Sequence, residues 1–385
     1  MTPHQCLAAP APVPPSSDAP WQEWVHHGLA WSRHPVASER ACAQPTSSWA
    51  AKPARQVTFH SYRESTPGSR WQVLFDATWP AYRSWYTAHD LEARPSLAEA
   101  RAALGKHMPE LLTHWERLVE LAGADPLAAR MLTMWRMPAI AAGCSQAVVP
   151  GNAPLLVRNY DYDPHLFEGV VASTNYSGQR RVIGTSDLLW GLVDGMNEDG
   201  LAVSLTLGGS PDSGDGFGIP IVIRYLLETC PDVESAIAAL NRIPVTQAYN
   251  ISLVDTAGGH ATVYVAPGEP AEVSGLRAAT NHRLTVVEHP RISDPLRSRQ
   301  RQQALFAVLR DLDSGGAARD LVDAFTRQPL RTGDYDRGFG TLYTAVYRPS
   351  EGTVTYQWPR RSWTRHFDDD EAHIDIDLPP VVEDD

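Results

Sequence analysis

The sequence predicts an α+β fold in which antiparallel sheets are covered by helices. Three observations predict it. From residue 139 onward, short strand-like runs follow one another with turn residues between them. Helical stretches precede, interrupt and follow those runs, and no glycine-rich phosphate loop follows a strand as a nucleotide-binding parallel sheet requires. The 385 residues are 43% hydrophobic and 20% charged, which supplies one large core or two modest ones and excludes a disordered or fibrous chain.

The elements follow in chain order. Residues 1–55 hold nine of the 31 prolines among Ala and Ser runs and read as a loosely ordered extension. Residues 56–143 read as mainly helical. Ser96 and Glu99 fit a capping box, and beyond Pro109 the residues Leu112, Trp115, Leu118 and Val119 share one helical face. Ser145–Val149 and Leu155–Asn159 flank Pro-Gly-Asn-Ala and read as a hairpin. A second pairs Val170–Thr174 with Gln179–Gly184, and a third pairs Leu189–Met196 with Leu201–Leu207 around Asn-Glu-Asp-Gly. Asp232 caps a helix to about Arg242. Strands resume at Asn250–Asp255 and His260–Val265, a helix covers about Asp294–Leu312, and a last hairpin joins Leu342–Arg348 to Thr353–Trp358. Residues 56–366 thus read as one structural domain.

The net charge of −12 excludes a nucleic-acid binder, which needs clustered Lys and Arg against phosphates. Much of it sits in residues 367–385, with nine acidic residues and no Lys or Arg, read as a solvated, mobile tail. Asp368, Asp369, Asp370 and His373 lack the ordered spacing of a calcium loop, so no metal is expected. The four cysteines, Cys6, Cys42, Cys144 and Cys230, are scattered, without a CxxC pair, which argues against a disulfide framework or structural zinc. No apolar run is long enough to span a membrane and no secretory leader is visible, so a cytoplasmic protein with reduced thiols is expected.

Cys144 opens the first strand of the hairpin region. A lone thiol is most often an inert core residue, but three features around it point to chemistry. Gly143 has no side chain, so a nucleophile can approach the Gly143–Cys144 carbonyl. Cleavage there would free an α-amine, with an ordinary pKa of about 7.7–8.0, as a built-in base beside the thiol. Arg158 and Asp161 lie on the strand paired with Cys144. A guanidinium there favours the thiolate and a carboxylate orients the amine; the bland alternative is a surface ion pair. Asn281, in Thr-Asn-His after a strand-like run, is a side-chain amide suited to a developing oxyanion, though such an Asn also serves as a turn former.

In these motifs the sequence resembles the acyl-coenzyme A:6-aminopenicillanic acid acyltransferase family, and more distantly choloylglycine hydrolases, acid ceramidase and N-acylethanolamine amidase. The shared pattern is Gly143-Cys144, Arg158-Asn-x-Asp161, Asp194-Gly-Met-Asn-Glu-Asp-Gly200-Leu, Thr280-Asn281-His282 and an Arg-rich helix start, over roughly residues 90–358. The resemblance implies the αββα four-layer fold of N-terminal nucleophile hydrolases and autocatalytic cleavage before Cys144. That cut would divide the chain into a pro-segment, 56–143, and a catalytic chain, 144–366. It implies Cys144 as nucleophile with its freed amine as base, Asp161 holding the amine, Arg158 beside the thiol and Asn281 in the oxyanion hole. Arg299 is the late supporting arginine, with Arg297 and Arg301 as rivals in register. Where the bile-salt enzymes carry a second Asn, this chain reads Leu205-Thr-Leu-Gly-Gly209, so a backbone N–H near Leu207 must replace that donor. The reaction implied is cleavage of a linear N-acyl amide through an acyl-cysteine, or transfer of the acyl group from a thioester or amide to an amine. A non-catalytic binding protein on the same fold is the rival class. The expected partner is a small-molecule acyl amide or acyl thioester, without cofactor, and a homo-oligomer stays open. His282 is expected to orient the turn beside Asn281, Cys230 to be packing, and Trp190 to line a substrate pocket.

Overall fold

The computed structural model describes residues 56–88, 94–140, 143–210, 212–283, 296–335 and 339–378; the proline-rich extension lies outside the described residues. The described residues begin with a strand, β1 (Gln56–Glu64), followed among them by four α-helices: α1 (Ser69–Ala88), α2 (Leu97–His107), α3 (Leu112–Leu121) and α4 (Pro126–Leu132). Ser96 caps α2 by accepting the Glu99 N–H, and Trp115 and Leu118 turn the buried face of α3 inward as the helical spacing requires. The hairpins then supply β2 (Gly143–Val149), β3 (Leu155–Tyr162), β4 (Val170–Thr174), β5 (Val182–Asp187), β6 (Gly191–Asn197) and β7 (Ala202–Leu207). Helices α5 (Ile219–Thr229) and α6 (Val233–Leu240) lead to β8 (Tyr249–Val254), β9 (His260–Val265), β10 (Glu272–Ser274) and β11 (Ala278–Ala279). Helices α7 (Ser298–Asp313) and α8 (Ala318–Phe325) precede β12 (Gly333–Asp334), β13 (Phe339–Arg348), β14 (Thr353–Trp358), β15 (Arg361–His366) and β16 (Ala372–Asp377).

Among the described residues the strands form a nine-stranded sheet, β10-β9-β8-β7-β6-β5-β4-β1-β16, and a seven-stranded sheet running β11-β2-β3-β13-β14-β15, with β12 beside β13. Strand alternation stacks them. On β3, Arg158 reaches the nine-stranded sheet while Asn159, pointing the other way, donates to the Phe325 carbonyl at the end of α8. On β6, Asp194 faces Arg158, whereas Gly195 faces α5 so closely that a Cβ there would meet Leu227 at 2.8 Å. The order is therefore helix, sheet, sheet, helix: the αββα arrangement. One core fills the space between the sheets and under α1–α6; a second, with Val157, Leu305 and Phe325, lies beneath α7 and α8.

Several elements depart from the sequence reading, among them β15, which extends the last hairpin by a third strand. The segment expected to be mainly helical begins with β1, which pairs with β4 and β16. The acidic end is not a free tail throughout: Ala372–Asp377 form β16, because Ile374, Ile376 and Leu378 alternate inward with His373, Asp375 and Asp377 outward. Helix α5 is absent from the sequence reading: every residue from Ile219 to Glu228 is buried, including the paired Arg224 and Glu228, so it has no solvent-facing polar side to set off an apolar stripe. The short α8 followed the Gly-Gly break and was missed with it. The helix start expected near Asp294 lies outside the described residues; the described helix begins at Ser298.

Candidate active site

Three strands and one helix converge on Cys144. In the β2–β3 pair, Cys144 lies opposite Tyr160 and Gly143 opposite Asp161. Cys144, Arg158 and Tyr160 therefore face the space between the sheets, while Ser145 and Asp161 face the α7 side. On the other edge of β2, β11 pairs Ala279 with Gln146; continuing that register two residues brings Asn281 beside Cys144. Helix α7 supplies Arg301 on the buried stripe it shares with Ser298, Leu305 and Leu309.

The thiol side is organised by Arg158, which is fully buried. Its Nη2 lies 3.3 Å from the Cys144 Sγ, its Nε donates to the Leu205 carbonyl at 3.1 Å, and its Nη1 pairs with Asp194. Its guanidinium stacks on the Tyr160 ring at 4.7 Å. Asp194 is held in turn by the hydroxyls of Tyr343 at 2.7 Å and Tyr347 at 2.5 Å. Burial pushes the Cys144 thiol above its ordinary pKa; the Arg158 charge opposes that and Asp161 adds to it.

The backbone side is organised by Asn281 and Arg301. The Cys144 N–H donates to Asn281 Oδ1 at 3.0 Å, and Arg301 Nη2 donates to the same oxygen at 2.6 Å. Two donors on one atom fix the carboxamide with its oxygen toward Cys144, leaving its nitrogen to donate to the Leu207 carbonyl at 3.3 Å. Arg301 Nη1 also reaches the Cys144 carbonyl at 2.7 Å, the Ser145 hydroxyl at 2.8 Å and Asp161 at 3.3 Å. Thr341, opposite Asp161 on β13, donates to its other oxygen at 2.6 Å. Burial pushes Asp161 up to about 6, with Arg301 and the Thr341 bond pulling it back. Burial also lowers Arg301, opposed by Asp161 and the thiol.

The structure thus brings Cys144, Arg158, Asp161 and Asn281 together, and it is Arg301, not Arg299, that joins them. Arg299 is exposed. Helical phase explains the difference: Arg301 stands four and eight residues before the buried Leu305 and Leu309, whereas Arg299 is two positions off that stripe. Near Leu207 it is the carbonyl that meets Asn281, and the Gly208 N–H is used by the Ala248 carbonyl at 2.8 Å. His282 orients the turn as expected, with ring nitrogens 2.7 Å from Ser298 Oγ and from Gln302 Oε1 on α7. Trp190 is buried and donates to the Leu132 carbonyl at 2.9 Å. Cys230 is buried at the end of α5. Asp194, Thr341 and Ser145 carry no role in the sequence reading: Asp194 reaches the site from the other sheet, Thr341 from the strand beside β3, and Ser145 through Arg301 of α7, none of which local spacing shows.

Cys144 has no exposed surface. A Cβ on Gly143 would run into the Phe339 ring. A surface cavity of about 370 Å³ at Asp232, Glu234, Asp255 and His260 shares no residue with the cluster. Among the described residues no group of three or more His, Cys, Asp or Glu is placed to hold a metal, and no helix is long and apolar enough to cross a membrane.

Comparison with known proteins bears on the family. No curated protein matches the chain in sequence. Among solved structures it is similar to a mutant conjugated bile acid hydrolase from Clostridium perfringens, at 14% identity and TM-score 0.41 over 63% of this chain and 99% of that one. It is similar also to penicillin V acylase from Agrobacterium tumefaciens, at 16% identity and TM-score 0.40 over 57% and 84%. A third is the Caenorhabditis elegans N-acylethanolamine-hydrolyzing acid amidase ortholog, at 15% identity and TM-score 0.41 over 57% and 99%. Overlaps of that size bear on neither site nor substrate. The model of one family, acyl-coenzyme A:6-aminopenicillanic acid acyl-transferase, matches residues 148–363, more than half of the chain and just downstream of Cys144. The chain belongs to the acyl-coenzyme A:6-aminopenicillanic acid acyltransferase family.

Proposed function

We propose that this protein is a self-cleaving cysteine amidase: it cuts its own chain before Cys144 and then cleaves linear N-acyl amides through an acyl-cysteine. The observation that carries this reading is the double grip on one residue, Arg158 on the Cys144 thiol and Asn281 on its backbone nitrogen. A packing cysteine needs no guanidinium at its sulfur.

In self-cleavage the Cys144 sulfur bonds to the Gly143 carbonyl carbon, the Gly143–Cys144 C–N bond breaks, and the thiol proton passes to the departing nitrogen. Water then hydrolyses the thioester, leaving a Gly143 carboxylate, a free thiol and a new α-amine. That amine inherits the Asn281 Oδ1 contact, and Arg301 ties it electrostatically to Asp161. In turnover the amine takes the thiol proton, and the thiolate, favoured by Arg158, attacks the substrate carbonyl. Asn281 Nδ2 has a second N–H for the oxyanion. The leaving amine departs with the proton, and water, activated by the same α-amine, releases the acid. Transfer to an amine is the second reading, favoured by the acyltransferase family model. A small-molecule substrate, a reduced thiol and a cytoplasmic setting complete the proposal.

Intact-mass analysis of the purified protein tests it. The expected species are fragments 1–143 and 144–385, absent in Cys144→Ala. A single uncut chain, or a Cys144→Ala protein still cut at that bond, would sink the mechanism.

A further inference from the structure

The chain just upstream of Cys144 runs along the loop 212–218 and the start of β8. The Met134 carbonyl accepts the Gly218 N–H at 2.7 Å, the Arg136 N–H donates to the Gly216 carbonyl at 2.8 Å, and the Arg136 carbonyl accepts from Arg94 at 2.9 Å. Met134 and Arg136 both adopt positive φ, 53° and 52°, a conformation that side chains resist unless their surroundings impose it. The last of these attachments is made by a side chain. Gln247 is buried, and its Oε1 accepts the Ile140 N–H at 2.9 Å while its Nε2 faces the Ile140 carbonyl at 3.5 Å. The carboxamide thereby mimics a strand partner for one residue, three positions before Gly143. The Tyr249 hydroxyl donates to the same Oε1 at 3.0 Å and fixes its orientation.

We infer that Gln247 is a positioning residue for self-cleavage: it anchors the pro-segment at Ile140 so that the Gly143 carbonyl is presented to the Cys144 thiol. The inference rests on the self-cleaving reading above. It separates two reactions that share one nucleophile, because Gln247 grips the pro-segment and none of Cys144, Arg158, Asp161, Asn281 and Arg301. Presentation of a reacting carbonyl within attack range is a large part of a rate, and two backbone contacts on one residue are what set it here.

The experiment is a time course of fragment appearance by intact mass in freshly purified full-length protein, followed by turnover of a reporter acyl amide by the fully cut form. Gln247→Met removes both contacts at similar bulk and should slow cutting at least tenfold, with kcat of the cut enzyme within twofold of the parent. Gln247→Glu keeps the acceptor for the Ile140 N–H and should recover most of the rate. If the Met variant does not fold, Tyr249→Phe, which releases the carboxamide from its orientation, should slow cutting about threefold. Parent-like cutting in Gln247→Met, or in Tyr249→Phe where that variant decides, overturns the inference, as does an equal loss in cutting and turnover. A parent chain that stays whole removes the self-cleaving reading itself and the inference with it.

Discussion

Arg158 and Asp194 form an ion pair with no exposed surface on either side chain, so removing one charge strands the other. Consider Arg158→Met, studied in the Cys144→Ala background so that every chain stays whole. Asp194 then keeps two donors, the hydroxyls of Tyr343 and Tyr347, but loses its counter-charge, and the Leu205 carbonyl loses the Arg158 Nε–H. Breaking a buried pair from one side costs about 3–5 kcal/mol; the remaining tyrosine bonds place this case near 3. Asp194→Asn should cost a similar amount by stranding Arg158. The double variant Arg158→Met/Asp194→Asn buries no charge and should recover at least about 2 kcal/mol of the summed losses, a coupling typical of contacting residues. Urea denaturation followed by tryptophan fluorescence measures all four chains. In the Cys144 background, loss of the guanidinium removes the charge that holds the thiol pKa down, so the thiol pKa should rise and its alkylation slow by about tenfold or more at neutral pH. The double variant should stay slow even where its stability returns. A single-variant loss below about 1 kcal/mol, or additive losses without coupling, would refute the claim that this pair organises the inter-sheet layer.

Three further outcomes are expected. Arg301→Gln should lower amide turnover at least about a hundredfold, since it loosens Asn281, Asp161 and the Cys144 carbonyl together, whereas Arg299→Gln should stay within twofold; equal effects would reverse the assignment. Asp161, the carboxylate tied through Arg301 to the freed α-amine, is pushed up to about 6, so amide turnover by the cut enzyme should fall as pH drops through about 6, and Asp161→Asn should be slow throughout without that limb. Glu168 lies beside Asp187 with the Tyr82 hydroxyl on its Oε1, and burial followed by the Asp187 charge pushes it up to about 8. Its folded state holds the proton more tightly than the unfolded chain, so its contribution is full below about 4.5 and is lost as pH rises through about 8. Glu168→Gln should therefore match the parent's melting temperature at pH 5 and exceed it at pH 9; a parent curve flat across that range would refute this.

Sequence alone determined the hairpins and four residues of the candidate site, Cys144, Arg158, Asp161 and Asn281. Turn chemistry at Asn-Glu-Asp-Gly and Pro-Gly-Asn-Ala is local, and so is the alternation that places Arg158 and Cys144 on strands. The β16 strand was legible too, in its Ile-Asp-Ile-Asp-Leu alternation, beneath a charge count that pointed elsewhere. Only the tertiary structure decided which face each residue serves. Parity along β3 sends Arg158 to the thiol and Asp161 to the helix side, and helical phase along α7 selects Arg301 over Arg299. It also decided the partners that hold these side chains, Asp194 from the facing sheet and Thr341 from the neighbouring strand, because a buried charge is settled by whatever non-local strand comes within hydrogen-bond range of it, and that pairing is written nowhere in local spacing.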